Sequence, residues 1–280
     1  MSAPALGARV RNRATFYRQH ARAAWPSTRE WALDRRHRGA LVHLDEEQLR
    51  AARRSDTVFI LGSGKSILDI SPEEWEAIGR HDTIGFNQFA RQQTVRVGFH
   101  MVGELKNVEE TAEFFRTNPF YRDTIYLLQE GWRAEKSNEL VGRRLMAPGT
   151  KVFRYRRRAR GRYEVPSERL ADGLVHGWNT SICLTNLALL LGWRRIVYTG
   201  IDLYNREYFW MPWGERRLDD PADVRTSDAF PLMTSIVEML GAWRPLLEQR
   251  GVAMEVHNPE SALAAVLPVF DRSSLCAPSA

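Results

Sequence analysis

Cysteine is scarce in this chain of 280 residues, since Cys183 and Cys276 are the only two. Two cysteines cannot build a disulfide framework, and Cys183 falls in an apolar helical stretch where it is expected to be a small core residue. Long apolar runs are also missing, because none reaches the roughly 18 residues that a membrane-spanning helix needs. The arginines near the amino terminus are not followed by an apolar run, which argues against a signal peptide. Together these absences predict a cytoplasmic protein.

Positive charge is concentrated at the amino-terminal end. The formal net charge is +6, and residues 1–54 hold 12 Arg, no Lys and 5 acidic residues, which gives +7 there and −1 for the rest. This asymmetry predicts a basic helical extension over residues 1–54, ahead of a catalytic domain over residues 55–280. Residues 9–54 could lie on an anionic membrane surface as a cationic amphipathic helix, or they could pack on the domain as a solvated helix. No nucleic-acid-binding motif accompanies the charge, so nucleic acid is not an expected partner.

Short apolar segments alternate with helical patterns along the rest of the chain. Strands are predicted at 57–61, 83–86, 97–102, 124–128, 151–155, 196–199 and 252–256, and helices at 109–116, 179–191 and 228–249. A further helix is predicted to begin after Ser71-Pro72, since serine is a good N-cap and proline suits the first helical position. The alternation predicts a Rossmann-like α/β fold with a mainly parallel, twisted sheet and helices on both faces. An irregular stretch over residues 205–227 is interpreted as a lid loop.

A glycine-rich turn follows the first of these strands. Gly62, Ser63 and Gly64 come directly after it, and Ser66 follows one residue after Lys65. Glycines at this position let a nucleotide approach the backbone, and the free N–H groups of a following helix attract anionic groups. Residue 59 is not the glycine that a Walker loop requires, and residue 67 is not the third glycine of a dinucleotide fingerprint. A tight strand-to-helix turn without a ligand explains the same residues equally well.

Polar or small residues stand at three further predicted element ends, namely Asn87 and Gln88, Thr180 and Ser181, and Gly200 and Asp202. An Asx turn, a helix cap and a loop anchor are their respective structural alternatives. A doubly wound topology brings the carboxyl ends of its strands to one edge, and ligands bind at that edge. These residues are therefore candidates for a single binding site.

The order of these motifs resembles the bacterial CMP-sialic-acid-dependent sialyltransferases of glycosyltransferase family 42. The matching stretches are Gly62-Ser63-Gly64-Lys65-Ser66-Ile67, Phe86-Asn87-Gln88-Phe89, Thr180-Ser181-Ile182, Thr199-Gly200-Ile201-Asp202-Leu203-Tyr204 and His257-Asn258-Pro259-Glu260-Ser261. The resemblance covers roughly residues 56–270, with the motifs in the same order and at similar spacing. The opening turn is also similar to that of archaeal hydroxymethylpterin diphosphokinases and of motility accessory factors that modify flagellin.

The resemblance implies a role for each matched position. The donor would be bound by Gly62, Ser63, Gly64, Ser66, Asn87, Gln88, Thr180, Ser181, Gly200 and Asp202. Tyr204 and Tyr208 would hydrogen-bond the departing phosphate of CMP, whose negative charge grows as the glycosidic bond breaks. Phenols can do this without a metal ion, and the sequence contains no Asp-x-Asp pair that would hold one, so neither a metal nor another cofactor is expected.

The sequence also departs from the family pattern. Lys65 replaces a proline, Trp178 stands near the position of a family arginine, and the histidine that acts as general base in the family's lid has no counterpart here. Asp228 is the nearest carboxylate and could take the acceptor's proton, or it could merely cap the helix over 228–249. The six arginines within residues 154–162 have no family counterpart. They could receive an acidic glycan or a lipid headgroup, or they could form a solvated loop.

The function that follows from the resemblance is inverting, metal-independent transfer of a sialic or related nonulosonic acid from a CMP-linked donor to a hydroxyl of a surface glycan. The expected partners are the nucleotide-sugar donor, the glycan acceptor and, through residues 9–54, the inner face of the cell membrane. The sequence also allows a homo-oligomer. Two alternatives remain: diphosphate transfer from ATP to a hydroxymethylpterin, and a non-catalytic nucleotide-binding role in glycan assembly.

Overall fold

A parallel sheet of eight strands is the centre of the protein in a computed structural model, which describes residues 28–158, 165–176, 179–203, 207–211 and 230–276. The strands of this sheet are β1 (Val42–His43), β2 (Thr57–Leu61), β3 (Asp82–Phe86), β4 (Phe99–Val102), β5 (Ile125–Gln129), β6 (Lys151–Tyr155), β9 (Arg195–Thr199) and β10 (Ala253–Val256). A separate pair is formed by β7 (Arg157–Arg158) and β8 (Leu174–Val175). The sheet order is β1-β6-β5-β4-β3-β2-β9-β10, with every pair parallel. The predicted parallel α/β fold is thus confirmed.

Helices cover both faces of the sheet. They are α1 (28–37), α2 (Glu46–Ala51), α3 (Pro72–Gly79), α4 (Val108–Thr117), α5 (Glu135–Gly142), α6 (Thr180–Leu191), α7 (Phe230–Glu248) and α8 (Ser273–Cys276). The buried apolar residues form two clusters, one on each face of the sheet. One cluster contains the buried residues of α6 and α7, and the other contains those of α3, α4 and α5. Successive residues of β2 belong to opposite clusters, as Val58 and Phe59 do, because successive side chains of a strand point to opposite faces.

Local sequence explains where two of these helices begin or end. Ser71 caps α3, since its Oγ accepts from the Glu74 backbone N–H at 3.2 Å and the Glu74 carboxylate accepts from the Ser71 N–H at 3.1 Å. Gly192 ends α6 with a φ of 87°, a left-handed conformation that favours glycine. Both features agree with the prediction from the sequence. The two helices pack on opposite faces of the sheet.

The sheet has a switch point between β2 and β9. From β2 the chain proceeds outward through β3, β4, β5 and β6 on one side, whereas β9 and β10 add to the other side. Connections that leave a parallel sheet in opposite directions open a crevice at the carboxyl ends of the two central strands. The glycine turn after β2 and the Gly200 loop after β9 are therefore adjacent at this crevice.

Part of the predicted amino-terminal extension belongs to the sheet. Strand β1 pairs with β6 at one edge, and Asp34 of α1 is fully buried, where it forms ion pairs with Arg38 at 2.7 Å and with Arg154. A domain boundary at residue 54 remains a prediction. Residues on both sides of that boundary contact each other, as the β1–β6 pairing and the Asp34–Arg154 ion pair show. Among the residues that the structure describes, no helix is both long enough and apolar enough to cross a membrane.

A buried histidine, His100 on β4, couples the fold to pH. Its ring is fully buried against Phe115, and its Nδ1 lies 3.2 Å from the Tyr121 hydroxyl. Burial lowers the pKa of His100 to about 3. An unfolded chain has histidine pKa values near 6.5. The folded state therefore keeps the imidazole neutral between these two values, whereas the unfolded state takes up a proton.

We expect the free energy of unfolding to fall as the pH drops below about 6.5, because the unfolded chain binds the extra proton. The contribution of His100 to this slope should approach about 1.4 kcal/mol per pH unit, and it should vanish in His100→Gln. Urea unfolding at intervals between pH 7.5 and 4.5 measures the slope, with His43→Gln on the exposed edge strand as the control. An unchanged slope in His100→Gln would show that His100 does not contribute to it.

Candidate functional site at the carboxyl edge of the sheet

The glycine turn after β2 is pressed against the loop after β9. The Gly62 N–H donates to the Thr199 carbonyl at 2.8 Å, and the Gly64 N–H donates to the Gly200 carbonyl at 2.7 Å. A Cβ atom at Gly62 would lie 2.4 Å from the Gly200 oxygen, and one at Gly64 would lie 2.3 Å from Oδ2 of Asp202. Both distances are shorter than any real contact. The close approach of the two loops therefore explains why glycine is required at these two positions.

Asp202 joins the two loops to a third segment. Its Oδ2 accepts from the Ser66 backbone N–H at 3.0 Å, and its Oδ1 accepts from the Ser66 hydroxyl at 2.5 Å and from Nδ2 of Asn258 at 3.2 Å. The Ser261 hydroxyl donates to the Ile201 carbonyl at 2.6 Å and completes the junction. Asp202 is only 3% exposed. The carboxylate and Ser66 therefore bind each other, which holds the glycine turn against the loop after β9.

Asn87 forms a second junction at the ends of β3 and β4. Its backbone is left-handed, with a φ of 50°, and its Oδ1 accepts from the N–H groups of Gly103 at 3.0 Å and Glu104 at 2.8 Å. Its Nδ2 lies 3.5 Å from the Thr180 hydroxyl at the start of α6. The alternative of a local Asx turn is wrong, since both N–H partners belong to the next strand end. Asn87 holds three element ends together at the edge of the sheet.

The N-cap of α6 is Asn179, one residue earlier than the predicted candidates. Its Oδ1 accepts from the Ser181 N–H at 2.7 Å and from the Ser181 hydroxyl at 2.6 Å. Asparagine is among the strongest N-cap residues, so the sequence contained this signal. Neither Thr180 nor Ser181 is the cap, and both are buried.

Gln88 contributes an amide to the same region. Its Oε1 accepts from Nε of Arg91 at 3.2 Å, whereas its Nε2 is buried without a hydrogen-bond partner among the described residues. An unpaired buried donor is unusual in a native protein and is often found where a ligand or a water is bound. Gln88 therefore remains a candidate for donor binding.

An aromatic segment over residues 207–211 crosses the glycine turn. Tyr208 forms an antiparallel bridge with Gly64, and the Phe209 N–H donates to the Ser63 carbonyl at 3.2 Å. The ring of Tyr208 stacks on Trp210 with 4.6 Å between centroids. The structure thus places Tyr208 beside the crevice. Two predicted catalytic residues, Tyr204 and Asp228, lie outside the described residues, as does most of the predicted lid.

Lys65 has an acidic partner at this turn. Its Nζ lies 2.8 Å from Oε2 of Glu207, in an ion pair that is partly shielded from solvent. The lysine that replaces the family's proline therefore links the glycine turn to the aromatic segment. Across the described ranges, no cluster of three or more His, Cys, Asp or Glu side chains could hold a metal ion.

The described part of the arginine run, residues 154–158, is not simply a solvated loop. Arg154 lies on β6 in the buried ion pair with Asp34, and Arg156 is exposed beside Glu130. Arg157 lines a cavity of about 240 Å³ at the carboxyl edge of the sheet. The sequence alone does not single out Arg157 from its neighbours, because consecutive arginines give no sign of which one faces inward.

Fold and site together define a Rossmann-like α/β protein with a candidate ligand crevice at the switch point of its sheet. No family model matches the chain, and no curated protein matches its sequence. Among solved structures, the X-ray structure of a mutant of the alpha-2,3/8-sialyltransferase CstII is similar, with a TM-score of 0.45 and 14% sequence identity. The match covers 77% of this chain and 87% of that chain.

We expect Gly62→Ala to lower the free energy of unfolding by about 2 kcal/mol or more, because the new methyl group would overlap the Gly200 carbonyl. Gly39→Ala is the matched control, since nothing lies within 4 Å of a Cβ at that position. Chemical denaturation of both variants measures the difference. Equal stability of Gly62→Ala and the wild type would mean that the two loops do not make this contact in solution.

Proposed function

We propose that this protein is a glycosyltransferase that moves a sialic acid or a related nonulosonic acid from a CMP-linked donor to a hydroxyl group of a surface glycan. One observation carries the proposal: the five motif stretches, dispersed over roughly residues 56–270, converge in two hydrogen-bonded junctions at one edge of the sheet. Asp202 joins three of the stretches, and Asn87 approaches Thr180 to join the other two. That edge is the place where a parallel α/β sheet binds nucleotides.

The proposed reaction is an inverting displacement at the anomeric carbon. As the glycosidic bond to CMP breaks, the sugar gains oxocarbenium character and the phosphate gains negative charge. The phenol groups of Tyr204 and Tyr208 would donate hydrogen bonds to that phosphate, which stabilises the charge where it develops. Neutral donors thus take the part that a metal ion plays in other transferases. Asp228 would accept the proton of the acceptor hydroxyl as the new bond forms.

The basic amino-terminal segment fits a glycan acceptor that is held at a membrane. Residues 9–54 would bring the enzyme to the anionic inner face of the cell membrane, where electrostatic attraction contributes about 1 kcal/mol for each basic residue close to the surface. A cytoplasmic, peripheral location is accordingly part of the proposal. Attraction of this kind weakens as salt screens the charges.

CMP should bind and stabilise the protein in the presence of a metal chelator, because the proposed phosphate ligands belong to the protein. A thermal-shift comparison of CMP, UDP, GDP, ADP and ATP tests this, since a ligand that binds the native state raises its apparent stability. Stabilisation by ATP only, and only with magnesium, would contradict the proposal and point to diphosphate transfer instead. Absence of stabilisation by any nucleotide would also contradict it.

We expect Tyr208→Phe to lower kcat by about 100-fold while the affinity for CMP changes much less, because a contact made mainly in the transition state is expressed in the rate. Donor hydrolysis or transfer measures kcat, and calorimetry with CMP measures affinity. Tyr126→Phe is the matched control, since Tyr126 lies near the amino end of β5, away from the crevice. Parallel effects of the two variants on kcat would remove Tyr208 from the mechanism.

A further inference from the structure

A cavity of about 240 Å³ lies next to the Asn87 junction at the carboxyl edge of the sheet. Its walls are the ends of β4 and β5, the first turn of α5 and strand β7, represented by Gly103, Glu104, Gln129, Lys136, Ser137 and Arg157. The same Gly103 and Glu104 N–H groups donate to Oδ1 of Asn87. The cavity therefore adjoins the Asn87 junction and is displaced from the switch point toward β5.

Arg157 is a cation without a carboxylate partner in the described part of the chain. Its Nη1 donates to the neutral amide of Gln129 at 3.0 Å, and its Nε is buried without a hydrogen-bond partner. Two further titratable groups that interact with Arg157, His176 and Cys183, are neutral. Burial lowers the pKa of His176 to about 3 and raises the pKa of the Cys183 thiol to about 12. A partly buried charge without a counter-ion is costly, and the cost is relieved when an anion binds.

Helix α5 adds a second attraction for an anion. The first turn of this eight-residue helix lines the cavity, and its N-cap residue, Ala134, has no side chain that could accept a hydrogen bond from that turn. Ser137 is occupied elsewhere, because its hydroxyl accepts from the Gln129 N–H at 2.9 Å. The helix dipole gives this end a partial positive charge.

Size and charge limit what this cavity can hold. Its volume is below the roughly 300–1,000 Å³ of sites for drug-sized ligands, so it suits one sugar ring better than a whole nucleotide. Its charged lining comprises Arg133, Lys136, Arg157, Glu104 and Glu135, three basic residues against two acidic ones. Lys136 is already paired with Glu139 at 3.1 Å, so the positive charge proposed to meet a single negative group is that of Arg157.

We propose that this cavity binds the carboxylate of an acidic sugar, with Arg157 as the counter-ion. The inference rests on the proposed function, which supplies two sources of such a group: the nonulosonic acid of the donor, or an acidic sugar of the acceptor glycan. The guanidinium presents paired N–H donors that match a carboxylate. Arg157 would thereby select substrates that carry one negative charge on the ring.

Methyl glucuronide and methyl glucoside are suitable probes, because they differ only in the carboxylate. We expect the full-length protein to bind the glucuronide at least tenfold more tightly, by ligand-observed NMR titration. Arg157→Gln should weaken glucuronide binding about 10- to 100-fold, the range expected for loss of one charged hydrogen-bonded contact. Arg156→Gln is the matched control and should change it less than twofold, because Arg156 is 73% exposed and pairs with Glu130.

Arg157→Lys is a second variant that distinguishes loss of the charge from a folding defect in Arg157→Gln. It retains the charge and should keep the preference for the glucuronide, at reduced affinity. Equal binding of the two probes by the wild type would overturn the proposal, and so would equal losses in Arg156→Gln and Arg157→Gln.

Competition separates the two sources of the carboxylate. If CMP-N-acetylneuraminate displaces the glucuronide but CMP does not, the cavity holds the donor's carboxylate. If the glucuronide still binds to donor-loaded protein, the cavity holds an acidic acceptor. Stabilisation by CMP without a preference for the glucuronide would reject only this inference. A preference for the glucuronide without any CMP binding would instead reject the proposed function and leave the anion site in place.

Discussion

The buried carboxylate of Asp202 is the contact on which the rest of the site depends. It accepts hydrogen bonds from Ser66 and Asn258, two residues that lie far from it in sequence. Each hydrogen bond to a charged group contributes about 1.5–3 kcal/mol, and leaving the carboxylate unpaired in the interior would cost more. The hydrogen bonds between Ser66 and Asp202 hold the turn after β2 against the loop after β9. Because the two loops then touch, only glycine fits at positions 62 and 64.

The parallel sheet brings further candidate residues to the same edge as this contact. The strand ends that follow one another across the edge are those of β2, β3, β4 and β5, which carry the glycine turn, Asn87, Gly103 and Gln129 in that order. Neighbouring strands are about 4.8 Å apart, so the edge from β2 to β5 spans roughly 14 Å. The proposed function would place the nucleotide at the switch point, and the proposed role of Arg157 would place an acidic sugar toward β5. The cavity beside Arg157 lies at that end.

The sequence predicted the sheet well because its strands are short, apolar and rich in β-branched residues. The segment predicted at 196–199 corresponds to Arg195–Thr199, and that at 83–86 corresponds to Asp82–Phe86. Strand β1 escaped prediction, because its two residues are exposed and show no apolar pattern. The sequence marks Asp202 and Asn87 as candidates but cannot identify their partners, because those partners come from other strand ends. Arg157 could not be distinguished within its run until the strands placed it beside Gln129.

Hydrogen–deuterium exchange in the presence and absence of CMP tests the central claim most directly. Binding at the switch point predicts slower exchange in peptides that cover residues 62–67, 86–89 and 199–203. Peptides from the amino edge of the sheet, such as residues 119–125, should be unchanged. Protection confined to the amino edge, or no protection at saturating CMP, would contradict the placement of the nucleotide at the carboxyl edge between β2 and β9.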